Sequence, residues 1–273
     1  MARRMKRARR HRFVACQKRR AQHKKARLQE ALFDYMYRMS MMSPYLPSAI
    51  RDCESSSARV ASSGGDLGLE CGVSAVQGWR SGQEDAHVVA PDFYAERGER
   101  LALFAVFDGH GEWGNLVSDF CMKFVRDNLV LHPLFESNVK TALKETFERC
   151  DAAMAAAEVP NVHSGTTAVV AVLKGTKLTI ASVGDSRAVL GKKDGRAVDL
   201  TVDQNPESPG EMDRILKAGG FVKKSNGDGL SSRVYLNKEL TQVGLAMSRS
   251  LGDVCVKHVG VIATPVVVGA GRG

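Results

Sequence analysis

No stretch of this 273-residue chain is long and apolar enough to cross a bilayer as a helix. The longest uninterrupted apolar run, residues 101–107, has the length of one strand, far below the ~20 residues a span needs. No apolar segment of signal-peptide type stands near the N-terminus, so a secretory leader is not expected. The six cysteines, Cys16, Cys53, Cys71, Cys121, Cys150 and Cys255, never fall at Cys-x-x-Cys spacing. That argues against a disulfide framework or a zinc site and suits a reducing compartment. There are no internal repeats. The first 29 residues contain no Asp or Glu, and no acid follows Asp253.

Positive charge is plentiful but confined. Residues 1–38 carry 14 Lys and Arg against Glu30 and Asp34, whereas residues 39–273 carry 25 against 28 acids. The body is therefore mildly acidic, and the net +9 of the whole chain gives no reason to expect nucleic-acid binding by the folded part. Three zones follow: a basic tail over 1–38, a Ser-, Gly- and Met-rich linker over 39–69, and a regular domain over 70–273. The tail reads as a solvated basic arm, as a nuclear or nucleic-acid address (Arg3-Arg4-Met5-Lys6-Arg7, Lys18-Arg19-Arg20), or as a mitochondrial transit segment. A cytoplasmic or nuclear location is expected, with mitochondria as the alternative. No membrane association is expected, and nucleic acid enters only through the tail.

Within the domain, residues 101–107 form a continuous apolar run that stops at Asp108-Gly109, the pattern of a strand buried on both faces. Residues 113–131 and 137–156 read as helices, the second with Ser137 as N-cap. Residues 166–173 and 177–183 flank the turn Lys174-Gly175-Thr176 as a hairpin. A further strand begins at 188–190, with Asp194-Gly195 as its turn. Ser208-Pro209-Gly210-Glu211 has the form of a capping box, and Gly219-Gly220 ends that helix. Strands come in groups between helices, which favours an α+β fold over a doubly wound parallel sheet.

Four clusters carry candidate chemistry. Asp108 ends the apolar strand, where a carboxylate meets solvent; Gly109 permits close backbone approach and His110 adds a titratable ring. Carboxylate, carbonyl and water suit Mg²⁺ or Mn²⁺, although Asp-Gly equally suits a surface turn. In Gln77–His87, Glu84 and Asp85 are oxygen donors and Arg80 offers a planar fork to a phosphate; a solvated strand edge has the same composition. Val183-Gly184-Asp185 is another strand ending in a carboxylate. Residues 246–253, Ala-Met-Ser-Arg-Ser-Leu-Gly-Asp, fit a capped loop with an internal salt bridge as well as they fit catalysis.

Taken in order, GWRSGQEDAH (78–87), FAVFDGHG (104–111), SGTTAVVAVL (164–173), ASVGDSRAVL (181–190), EMDRILKAGG (211–220) and LAMSRSLGD (245–253) resemble the metal-dependent, PPM-type or type 2C, serine/threonine protein phosphatase family. The resemblance covers residues 70–267. It implies a four-layer αββα sandwich of two mostly antiparallel sheets flanked by helices. It also implies two metal ions, Mg²⁺ or Mn²⁺, and hydrolysis of phosphoserine and phosphothreonine by a metal-bound hydroxide. By the same resemblance Asp108 bridges both metals, the Gly109 carbonyl and Glu84 complete one of them, and Asp85 holds a metal-bound water. Asp185 is a ligand for a third metal, Arg80 grips the substrate phosphate, and His110 is the general acid. Partners are phosphoprotein substrates, and a monomer is expected.

The sequence departs from the family pattern at its end. The second Asp-Gly and the later Asp-Asn expected beyond Ala263-Thr264-Pro265 do not occur, and Asp228-Gly229 sits in a polar loop that cannot replace them. The expectation is a C-terminally incomplete domain, with its last strands and helix missing and weakened metal binding. Gln204 stands where the family usually has His. Two functional readings therefore stay open: a protein phosphatase, or a catalytically dead phosphoprotein-binding or regulatory module. The absence of an Asp-x-Asp-x-Thr/Val signature argues against aspartate-nucleophile phosphatases.

Overall fold

The computed structural model describes residues 59–61, 69–96, 99–227 and 229–270. All of them fall in the unit Ser48–Gly273. The basic tail, most of the expected linker and Asp228 lie outside the described residues. Inside the stretch read as linker, β1 (Arg59–Ala61) pairs antiparallel with β2 (Glu70–Gly72). No helix among the described residues is long and apolar enough to cross a membrane.

The centre is an antiparallel sheet in the spatial order β3 (Asp85–Glu96), β4 (Glu99–His110), β6 (Ala168–Lys174), β7 (Lys177–Val183) and β13 (Val266–Ala270). β6 and β7 form the expected hairpin, with Gly175 at φ +57° in its turn. Toward its C-terminal end β4 changes neighbour, and Gly109 and His110 pair with β5 (Gly165–Thr166), which in turn pairs with β12 (Leu251–Gly252). Two helices, α1 (Gly114–Leu129) and α2 (Val139–Ala156), pack against each other and onto this sheet. The mixed α and β class with antiparallel pairing is thus as expected. The remaining strands among the described residues are three two-stranded ribbons, including β8 (Val189–Gly191) with β9 (Ala197–Asp199).

The run expected to be buried on both faces is buried throughout on only one of them. Leu101, Leu103, Ala105 and Phe107, which alternate along β4 and so share a face, are all 5% exposed or less. On the opposite face Ala102 is buried, Phe104 is half-buried and Val106 is 49% exposed. An unbroken apolar run reports that both faces avoid charge; it does not report what covers the second one.

Two caps differ from expectation. Asn138, not Ser137, caps α2: its side-chain oxygen accepts from the Thr141 N–H at 3.1 Å. Asn138→Ala is therefore expected to lower stability by about 1 kcal/mol in urea denaturation, while Ser137→Ala leaves the midpoint in place. The capping box at α3 (Glu211–Lys217) does not form. Gly210 precedes the helix at φ +81° with no side-chain cap, and Glu211 turns inward instead. Beneath α3 lies a second core of Ile215, Val234, Leu245, Met247, Val256, Val259 and Val261. It also packs against the ribbon of β10 (Phe221–Lys223) and β11 (Arg233–Tyr235) through Val222. Ile215 is fully buried, whereas its neighbour Leu216 is 50% exposed.

Candidate active site

The strand ends gather the candidate residues at one rim of the sheet. Asp85, the first residue of β3, is the direct register partner of Asp108 on β4. Directly opposed like charges on neighbouring strands destabilise, so this pairing is a feature to be explained. On the other side of β4, Asp108 and Thr167 exchange hydrogen bonds: the Asp108 N–H donates to Thr167 Oγ1 at 3.1 Å, and the Thr167 N–H donates to the Asp108 carbonyl at 2.9 Å. Thr167 Oγ1 also bonds Ser186 Oγ at 2.7 Å. That contact ties the turn after β7, which carries Asp185, to the same point.

The turn is fixed from below by Gln204, which is 4% exposed. Its Oε1 accepts the Gly184 N–H at 2.7 Å and its Nε2 donates to the Ser182 carbonyl at 3.0 Å. An amide can do both because it carries a donor and an acceptor. Gly184 has φ +93° and packs directly on Thr167, where a Cβ would lie 2.7 Å from the threonine methyl.

Glu84 enters the site through its backbone as well as its side chain. Its carbonyl accepts the Gly109 N–H at 3.1 Å and the Ser118 hydroxyl at 2.6 Å. Its carboxylate lies beside Gly114 at the start of α1. A Cβ on Gly109 would stand 2.4 Å from the Gly114 carbonyl oxygen and 2.5 Å from that of Glu84. Both obstacles are backbone, so only glycine fits there.

The electrostatics agree with the geometry. The Asp108 carboxyl is held above its ordinary value, first by burial and then by the charges of Asp85 and Asp185; His110 and Arg80 oppose this without cancelling it. Arg80 itself is exposed, and its carbonyl accepts from Gln77 Nε2 at 2.7 Å. For His110, burial would lower the basicity of the ring. A hydrogen bond donated to Asp253, with the charges of Asp253, Asp108 and Asp185, outweighs burial and raises it.

Asp253 was not singled out from the sequence, where residues 246–253 read equally well as a loop with an internal salt bridge. The structure gives both charged residues of the segment partners outside it, so the expected internal salt bridge is not what holds the loop. Arg249 pairs with Glu211 at 2.6 Å, and Asp253 reaches His110, 143 residues away, at 2.8 Å. Leu251-Gly252-Asp253 repeats the strand–Gly–Asp order of residues 183–185, a signal that was legible.

The carboxylates Asp85, Asp108 and Asp185, with Glu84 adjacent, form an all-oxygen donor set whose charges repel one another. That is the chemistry a hard divalent cation neutralises. Among the described residues no three His, Cys, Asp or Glu side chains stand close enough to enclose an ion.

The family model for Protein phosphatase 2C matches residues 69–272. Protein phosphatase 2C homolog 2 of Aspergillus flavus is 37% identical over 209 residues, 71% of this chain and 44% of the relative. Protein phosphatase 2C 1 of Paramecium tetraurelia is 33% identical over 230 residues, 80% of this chain and 68% of the relative. The crystal structure of serine-threonine phosphatase 2C from Toxoplasma gondii superposes with a TM-score of 0.60 at 22% identity, covering 71% of each chain; this likeness concerns the fold. The chain belongs to the protein phosphatase 2C family. It spans less than half the length of the Aspergillus flavus relative.

Proposed function

We propose that this chain hydrolyses phosphoserine and phosphothreonine in proteins, with Mg²⁺ or Mn²⁺ as cofactor. The observation that carries the reading is the opposition of Asp85 and Asp108 across β3 and β4, with Asp185 near enough to raise Asp108 further. A protein keeps such repulsion where a bound cation offsets it.

Asp108, Asp85, Asp185, Glu84 and the Gly109 carbonyl would hold the cations, which supply Lewis acidity toward the phosphoryl group when bound. Arg80, exposed at the edge of the site, binds the phosphate through its planar fork. His110 gives a proton to the departing seryl or threonyl oxygen, which is too basic to leave readily without one. The Asp108–Thr167 and Gly109–Glu84 backbone bonds keep the strand end in place while these groups act.

The test is release of inorganic phosphate from a phosphoserine peptide by the full chain, with Mn²⁺ or Mg²⁺ and with a chelator. Metal-dependent turnover supports the reading. Peptide binding without turnover supports the regulatory alternative and removes the catalytic one.

A further inference from the structure

We infer that Asp253 is the positioning residue for His110: it fixes the ring and its tautomer and leaves Nδ1 as the nitrogen that faces the leaving group. This rests on the phosphatase reading for its chemical consequence, while the geometry stands by itself.

Asp253 Oδ2 lies 2.8 Å from His110 Nε2, and Asp253 is 4% exposed. An ionised carboxylate only accepts hydrogen bonds, so Nε2 carries the hydrogen. Nδ1 is buried and meets no hydrogen-bond partner among the described residues. A ring nitrogen kept from water without a partner calls for an explanation, and a substrate oxygen arriving there provides one. The pair also lines a cleft together with Leu236, Val243 and Leu245.

The backbone around Asp253 is built to present this carboxylate. Asp253 sits at φ +52°, a left-handed conformation that Asp and Asn tolerate better than other non-glycine residues and that marks functional positions. Its N–H donates to the Ser164 carbonyl at 2.9 Å. The preceding Gly252 N–H donates to Asp151 Oδ1 at 2.8 Å, and Lys257 grips the same Asp151 oxygen at 3.2 Å and the Ser250 carbonyl at 2.7 Å. α2 thus holds the loop through Asp151, and α4 (Val254–Lys257) holds it through Lys257. On the opposite side Gly165 forms a notch. A Cβ there would lie 2.2 Å from Asp253 Oδ2 and 2.8 Å from His110 Nε2, so any larger residue separates the pair.

In the reaction, water adds to phosphorus and the bond from phosphorus to the seryl oxygen breaks with its electron pair going to that oxygen. The oxygen takes the Nδ1 proton of the doubly protonated ring, the ring is left as the neutral Nε2–H tautomer, and a proton from the attacking water returns to Nδ1. A residue that acts only by orienting this donor matters for a basic leaving group and little for an acidic one.

Asp253→Asn tests the inference, since asparagine keeps the shape and the left-handed backbone while its amide can reverse the hydrogen bond. With the full chain and Mn²⁺, kcat for a phosphoserine peptide is expected to fall about a hundredfold with KM unchanged. Turnover of p-nitrophenyl phosphate, whose leaving group needs no proton, stays within about threefold. Gly165→Ala, which removes neither group, is expected to give the same selective loss and serves if the first variant misfolds. Equal loss on both substrates, or none on the peptide, overturns the inference. Long-range ¹H–¹⁵N NMR of the histidine rings, assigned with His110→Gln, gives a readout that needs no activity. Wild type is expected to show His110 hydrogen on Nε2 and Asp253→Asn to change it; hydrogen on Nδ1 alone in wild type overturns the inference. Failure of the wild type on both substrates sinks the phosphatase reading instead, and the NMR still decides the geometry.

Discussion

Glu211→Ala is expected to destabilise the chain by about 3–5 kcal/mol, the usual cost of removing one partner from a buried ion cluster. Glu211 is 8% exposed. Its carboxylate accepts from Arg249 Nη2 at 2.6 Å, from Arg214 Nη2 at 2.7 Å and from Ser248 Oγ at 2.5 Å. The two guanidinium groups then spread outward, Arg214 Nε to the Gly260 carbonyl at 2.7 Å and Arg249 Nη1 to the Thr264 carbonyl at 2.9 Å. One carboxylate therefore fastens α3 to the segment before β12 and to the chain leading into β13. Alanine leaves two half-buried cations with no anion between them, and urea denaturation reads the loss directly. Glu211→Gln keeps the shape and loses the charge, and falls between the two. A variant within 1 kcal/mol of wild type would show that the cluster is ornamental.

The same residue sets a pH dependence. Burial raises the Glu211 carboxyl, but Arg214, Arg249 and Ser248 win and lower it from 4.5 to about 2. A depressed carboxyl contributes stability above its unfolded value and loses it as pH falls toward the folded one. The contribution, about 3 kcal/mol at neutral pH, is expected to disappear between about pH 5 and pH 2. In Glu211→Gln that part of the acid transition should flatten. An unchanged acid limb in the variant would assign the transition to other groups.

Glu211 also shows where reading the sequence reaches its limit. Ser208-Pro209-Gly210-Glu211 has the local grammar of a capping box, yet the cluster with Arg249, 38 residues away, claims the glutamate. Local capping is worth about 1 kcal/mol; two half-buried guanidinium partners of a buried carboxylate are worth more. The pairing of Asp253 with His110 was hidden for the same reason, because the two are remote in the chain. Strand-end residues fared better. A carboxylate following an apolar run is placed at a rim by the strand itself, so Asp108 and Asp185 were legible without tertiary information. The convergence of Asp85 on Asp108 was not, since it depends on the β3–β4 register. The half-covered face of β4 at Val106 was invisible as well, because side-chain type does not encode what lies opposite.

Asp108→Asn is expected to abolish turnover of a phosphoserine peptide, by about a thousandfold or more, while leaving the metal-free protein at least as stable as wild type. The two halves have one cause. Burial and the charges of Asp85 and Asp185 hold the Asp108 carboxyl above its ordinary value. A raised carboxyl favours folding only while it is protonated, and opposes it once pH rises through its folded value. At neutral pH the ionised group therefore works against the fold. Asparagine removes that repulsion and keeps the backbone exchange with Thr167 that anchors the strand end. It also removes the charge around which a cation would be held. Wild type should gain thermal stability on addition of Mn²⁺ by mass action, and the variant should not. A variant clearly less stable than wild type in chelator, or one that keeps both its turnover and its Mn²⁺ response, would remove Asp108 from the centre of the site. A more stable, inactive and metal-blind variant would show that this strand end carries strain for the sake of its ligand.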